Sequence, residues 1–221
     1  MGLSGGFPID IILFGMIAAF LVLRLRGILG RRTGYEHPPQ PIQPREAMAP
    51  ATPAAPPVAP VRTAPRTLPA PTSPVGQSLT AMAAIDRGFD PRGFLDGAEK
   101  AFQIIVHAFA AGDRAALRPL LGQETWHAFD AAITEREKEG HTHVSDIRAI
   151  HALTIEDASL RGSVASITTR IVSDQVNMTH GRDGHTIMGT DAVTEINDLW
   201  TFERDLSRGD PAWHLVAARS A

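Results

Sequence analysis

The chain has 221 residues, with 21 Lys and Arg against 24 Asp and Glu, nine His and no Cys. Without cysteine it can form no disulfide, thiolate nucleophile or Cys-ligated metal centre. Charge is uneven: residues 1–85 carry 7 basic and 3 acidic side chains, residues 86–221 carry 14 and 21, and an acidic C-terminal part argues against a nucleic-acid partner bound through bulk charge.

Phe7 to Leu23 is a run of 17 residues broken only by Asp10. As a helix it would measure about 26 Å, the short end of a bilayer span. Arg24 and Arg26 can snorkel and let the apolar length continue to Leu29. No Lys or Arg precedes Arg24, whereas Arg24, Arg26, Arg31 and Arg32 follow the run. A signal peptide has the opposite arrangement, and an interfacial helix needs a polar face that Ile11 to Leu23 lacks. The prediction is a transmembrane anchor over residues 1–32 that contacts the bilayer through 7–29. The positive-inside rule puts everything after residue 32 in the cytoplasm.

Residues 33–78 are rich in Pro, Ala, Thr and Gln, and 13 of the 17 prolines lie between Pro38 and Pro74. Such a stretch buries too little to offset its ordering entropy, so a disordered linker with polyproline II character is expected. It reads as a spacer, with a proline-motif ligand as the alternative.

Residues 79–221 are long enough for one domain with its own core. Leu95, Ala98, Phe102, Ile105 and Phe109 recur at helical spacing, with Asp96, Lys100, Gln103 and His107 on another side. Gly112 ends this helix, and Asp113 caps a short one through Leu121. Trp126, Phe129 and Ile133 give a third helical stripe that stops at Gly140. The period then changes to two. Ile147, Ala149, His151, Leu153 and Ile155 share one strand face. Ala165, Ile167, Thr169 and Ile171 mark a second strand, Ile196, Asp198, Trp200 and Phe202 a third, and Trp213, Leu215 and Ala217 a fourth. Turns fall at Arg161–Gly162 and Gly181–Gly184. The predicted class is α+β: N-terminal helices packed on a curved four-stranded antiparallel sheet, a cone-like fold resembling nuclear transport factor two.

Three segments carry a family resemblance: residues 94–121, the DGHTIMG loop at 183–189, and NDLWTFERDLSRGDPAWHLVAA at 197–218. The pattern D-x-W-T-F-x-R followed by D-P-x-W-x-L-V resembles the C-terminal domain of the Tim forty-four-like (Tim44-like) family. An apolar N-terminus followed by RLRGILGRRTG looks like its alphaproteobacterial TimA-type adaptor members. The resemblance implies a non-enzymatic adaptor at a bacterial inner membrane, with a single span and a cytoplasmic domain that binds an unidentified protein. It also implies an apolar groove in the cone. The mitochondrial member contacts cardiolipin and recruits a heat-shock chaperone. This chain lacks the long N-terminal region that holds the chaperone, so chaperone recruitment does not carry over. For anionic lipid, the arginines at 24–32 are better placed than the acidic domain.

Within the domain, Phe102, Phe109, Trp200, Phe202 and Trp213 are the candidate lining of a partner or ligand groove; aromatic stripes at such spacings also build cores. The competing function is a small-molecule binder or isomerase-like enzyme, with Asp198 as general base in an apolar pocket. The favoured reading of Asp198 is structural, a carboxylate paired with Arg204 or capping a neighbouring backbone. The pairs His141/His143 and His180/His185 could bind zinc if they met, but no Glu-flanked arrangement accompanies them. The reading therefore assigns no catalytic residue, no metal and no cofactor.

Overall fold

The computed structural model describes residues 66–221; the predicted anchor and the linker up to residue 65 lie outside them. Among the described residues no helix is long and apolar enough to cross a membrane. The elements run β1 (Arg66–Thr67), α1 (Pro74–Ile85), α2 (Pro91–Ala111), α3 (Arg114–Leu117), α4 (Gln123–Glu139), β2 (Thr142–Arg161), β3 (Val164–His180), β4 (Thr186–Asp205) and β5 (His214–Ser220).

Local chemistry sets the helix ends. Ser73 accepts from Gly76 N at 3.1 Å ahead of Pro74, and Asp90 from Gly93 N at 2.8 Å ahead of Pro91. Proline suits the first helical turn, where its missing N–H has no partner to lose. Asp113 caps α3, which is only four residues long and stops well short of Leu121. Gly112 and Gly140 close α2 and α4 at φ of 73° and 68°, the left-handed conformation that costs glycine least.

Two elements of the described residues, β1 and α1, start ahead of residue 79. Proline content masks a cap-plus-proline helix start at Ser73–Pro74, and Leu68, Val75 and Leu79 give this stretch apolar surface to bury in the core. The sheet likewise has five strands, not four, in the order β1-β2-β3-β4-β5. β1 is parallel to β2, with Arg66 opposite Leu153, and the other pairings are antiparallel. Two residues are too few to show alternation. β1 is held from outside itself: Arg66 Nη2 donates to Glu99 Oε2 at 2.8 Å, and its Nε lies 2.7 Å from Asp96 Oδ1 in an ion pair off the hydrogen-bonding axis.

Bulges redraw the predicted faces of β2. The register slips between Ile147 and Ala149, Ile150 and Ala152, and Ile155 and Asp157. The residues aligned with the inward side of β3 are therefore Ile147, Ile150, Leu153, Ile155 and Ala158. Ala149 and His151 leave the predicted face, and His151 instead lies 2.9 Å from Asp174. Each extra residue bends the strand and adds twist, so three of them curl β2 around the helices. A further slip in β5 aligns Leu215 with Phe202 but Ala217 with Thr201, which turns Ala217 out to solvent.

The core lies in the hollow of this sheet. Leu95, Ala98, Phe102 and Ile105 of α2 are buried there with Leu153, Ile155, Ile167, Ile171 and Phe202. The predicted polar stripe of α2 is exposed. Each fully buried large side chain contributes roughly 1.5–3 kcal/mol.

Three carboxylates are held below their ordinary range at the surface. Hydrogen bonds from Ser207 and Ser163 lower Asp205 to about 2. Glu137 is lowered by its hydrogen bond from Arg114 and Glu156 by that from Arg170. A depressed folded-state value stabilises the fold above the unfolded value and is lost as pH falls through the folded one. Stability should therefore hold down to about pH 4.5, the ordinary Glu value, and decline from there toward pH 2. Urea midpoints across that range would check it, and a midpoint unchanged at pH 2.5 would contradict these pairings.

Candidate functional site

The concave face of the sheet is the part of the domain that sequence singles out. α2 packs over β2, and the β4 side is less covered: Ile196, Thr194 and Thr190 are half-buried and Met188 is exposed. The five predicted groove residues separate into two groups. Phe102 stacks edge-on to Trp200 at 4.8 Å, Trp200 lies 6.2 Å from Phe202, and Phe94 bridges Phe202 at 6.0 Å to Trp213 at 4.8 Å. These four predicted residues form one cluster, in which Phe102 and Phe202 are 0% and 1% exposed. Phe109 belongs elsewhere. It meets Phe129 at 4.9 Å and lies beneath the Arg136 guanidinium, which donates to the carbonyls of Phe109 and Ala110.

Phe94 escapes the sequence reading because the apolar stripe there starts one residue later, at Leu95. A second omission is chemically more informative. The inward parity of β3 continues past Ile171 into Ser173, Gln175 and Asn177, all buried. They form a one-way hydrogen-bond ladder. Ser145 of β2 donates to Asn177 Oδ1, Asn177 Nδ2 to Gln175 Oε1 at 3.2 Å, and Gln175 Nε2 to Ser173 Oγ at 2.9 Å. His143 and Thr179 extend it through a 3.0 Å contact. Period-two reading carried six residues further, from Ile171 to Asn177, finds this row. Its members satisfy one another, as buried polar groups must.

Asp198 is 6% exposed and stands on the same face as Trp200, opposite Ile171 of β3 and Ser220 of β5. Its expected pairing with Arg204 is not what forms: the Arg204 Nη2 lies 2.8 Å from Asp86 Oδ2, and its Nε donates to the Asp210 carbonyl. Arg204 thereby pins the end of α1 to β4. Two hollows, of about 270 and 350 Å³, lie around Val164 and Glu203 on the convex side, and neither is lined by Asp198 or the five aromatics.

The two histidine pairs lie at neighbouring strand ends, with His180 opposite Thr142, but they build no metal site. His141 precedes β2 and contacts Glu139 at 2.9 Å, while His180 contacts Thr186 at 3.3 Å. Among the described residues no three His, Asp or Glu converge on a cation position.

The sequence pattern of the Tim44-like domain matches residues 75–220. No curated protein matches the chain. Among solved structures the chain is similar to the intermembrane-space region of the chloroplast protein ARC6, at 12% identity and a TM-score of 0.45, covering 60% of this chain and 96% of that one. It is also similar to an NTF2-like family protein from Streptomyces avermitilis, at 13% identity, TM-score 0.32, and 59% and 96% coverage. A conserved protein from Planctomyces limnophilus gives 16% identity, TM-score 0.31, and 56% and 91% coverage.

Proposed function

This chain belongs to the Tim44-like domain family, and on that ground we propose that it is a membrane-tethered adaptor. Residues 7–29 anchor it in a bacterial inner membrane, residues 33–65 are the tether, and the folded part from Arg66 holds a protein partner on the cytoplasmic side. The observation that carries this reading is the family match over 75–220 combined with an apolar N-terminal run closed by Arg24, Arg26, Arg31 and Arg32. The domain keeps the cone-like arrangement suggested by its helices lying in the hollow of a bent sheet. Its partner sits at the less covered β4 side of that hollow, near Ile196 and Thr194. Phe102, Trp200 and Phe202 act from beneath as the packed wall rather than as exposed contacts. Anionic lipid contacts, where they occur, fall to the arginines flanking the anchor.

Burial of Asp198 on the concave face favours a second reading, in which that carboxylate is the general base of a small-molecule enzyme. One experiment separates the two. Photo-crosslinking in intact membranes, with the reactive group at Ile196, is expected to trap a discrete protein adduct. Absence of any protein adduct, with turnover of a small molecule by the purified chain that Asp198→Asn abolishes, would overturn the adaptor reading.

A further inference from the structure

We propose that the end of the domain formed by the β3–β4 hairpin is a membrane-contacting tip, at which Ile187 and Met188 enter the interfacial layer of the bilayer; this rests on residues 7–29 being an anchor. The first argument is direction. β1 runs parallel to β2, with Arg66 opposite Leu153, so the chain enters the domain from the side of the sheet where β2 begins. That side carries Thr142, His180, the turn at 181–185 and the C-terminal end of α4. A tether attached there leads back toward the membrane past the hairpin, not past the opposite turn at Asp205–Arg208.

The second argument is reach. Thirty-three residues, 33–65, separate the anchor from β1, and a coil of that length spans about 30 Å root-mean-square. From Leu153 to the start of β2 is about 36 Å of strand. The two lengths match, so the tip can rest on the bilayer without stretching the tether.

The third argument is surface chemistry. Val144, Ile187 and Met188 are large apolar residues left exposed at this end, Ile187 at 52% and Met188 at 39%. The turn that presents them is fixed: Arg182 donates to the carbonyls of Glu139 and Lys138 at 2.8 and 2.7 Å, closing the end of α4. A pre-ordered tip loses little entropy on contact. Charges around it are mixed, with Arg182 and Lys138 beside Glu137, Glu139 and Asp183. The mixture favours apolar entry into the interface over capture of an anionic headgroup. Two side chains make a weak contact by themselves; a tether that confines the domain beside the membrane makes a weak contact sufficient.

The absence of cysteine permits a clean test. Full-length Ile187→Cys and Arg208→Cys proteins, each carrying an environment-sensitive fluorophore, are reconstituted into phosphatidylethanolamine–phosphatidylglycerol vesicles containing brominated lipid. The expected result is a blue shift and loss of emission at 187, with neither at 208. A label at His185→Cys should behave like 187 and lose the effect when Ile187→Asp and Met188→Asp are added. Protein that floats with vesicles but shows no quenching at 187 overturns the tip and leaves the anchor standing. Protein that does not float overturns both. A shift at 187 that requires added cell extract instead of lipid means a protein contact, and also overturns the tip.

Discussion

Trp200→Ala is expected to destabilise the domain by about 3–5 kcal/mol, the range for large-to-small aromatic truncation in a core. Trp200 is 6% exposed and touches two rings, Phe102 of α2 across the helix–sheet interface and Phe202 along its own strand. Removing the indole opens a void between a helix and a sheet that are each braced elsewhere. α2 is fixed to β1 through Arg66, and β4 to α1 through Arg204 and Asp86. The void therefore collapses poorly, which favours the upper half of the range. Urea unfolding followed by the fluorescence of Trp126 and Trp213 would measure it. A loss below 1 kcal/mol would mean that Trp200 lines an open groove after all, because truncating a solvent-facing wall leaves no cavity.

What the sequence reveals about this fold divides along local and non-local lines. Asp113, Gly112 and Gly140 act within a few residues of themselves, and their roles as cap and terminators are legible from sequence alone. The buried row Ala165, Ile167, Thr169 and Ile171 lies on a central strand paired on both sides, where the pleat holds strict alternation. The errors arise where a partner strand decides. β2 bulges at three points because it must bend around α2, and nothing between Ile147 and Ala158 announces which residue is extruded. Ile147, Leu153 and Ile155 fit period two and a bulged ladder equally well, and Ile150, off the period-two face, does not say which neighbour is extruded. β5 repeats the error on a smaller scale at Ala217. β1 is invisible in the sequence because its two residues owe their place to carboxylates on α2, about thirty residues further along the chain. Arg204 shows the same limit for the candidate site: six residues from Asp198 and on the same strand, it is the natural partner on paper, yet it reaches across to Asp86. The polar ladder, by contrast, is legible. Ser173, Gln175 and Asn177 keep the parity of the apolar row before them, and polar residues on an inward parity call for the same reading as apolar ones.

Gly189→Ala is the second large effect, expected at roughly 2–5 kcal/mol from left-handed strain plus overpacking. Gly189 sits at φ 84° opposite Met178, and a Cβ there would stand 2.1 Å from the Asn177 carbonyl oxygen and 3.1 Å from Met178 Cα. Both obstacles are backbone, so no rotamer change relieves them; β3 and β4 must separate. The separation would fall just beyond the bulge between Gln175 and Asn177 and would release the hairpin without unpacking the aromatic cluster. Gly184→Ala supplies the control, since Gly184 has φ 79° but nothing within 4 Å of where a Cβ would stand; it carries the strain alone, about 1–2 kcal/mol. Hydrogen exchange should accelerate at residues 178–190 in Gly189→Ala while residues 165–171 stay protected, and Gly184→Ala should change only the turn. Because the hairpin presents Ile187 and Met188, Gly189→Ala should also abolish the lipid quenching at 187 while the protein still floats with vesicles. Equal exchange in the two variants would show that the strands have room to move apart at Gly189, and that the tip is less firmly held than its contacts with Asn177 and α4 require.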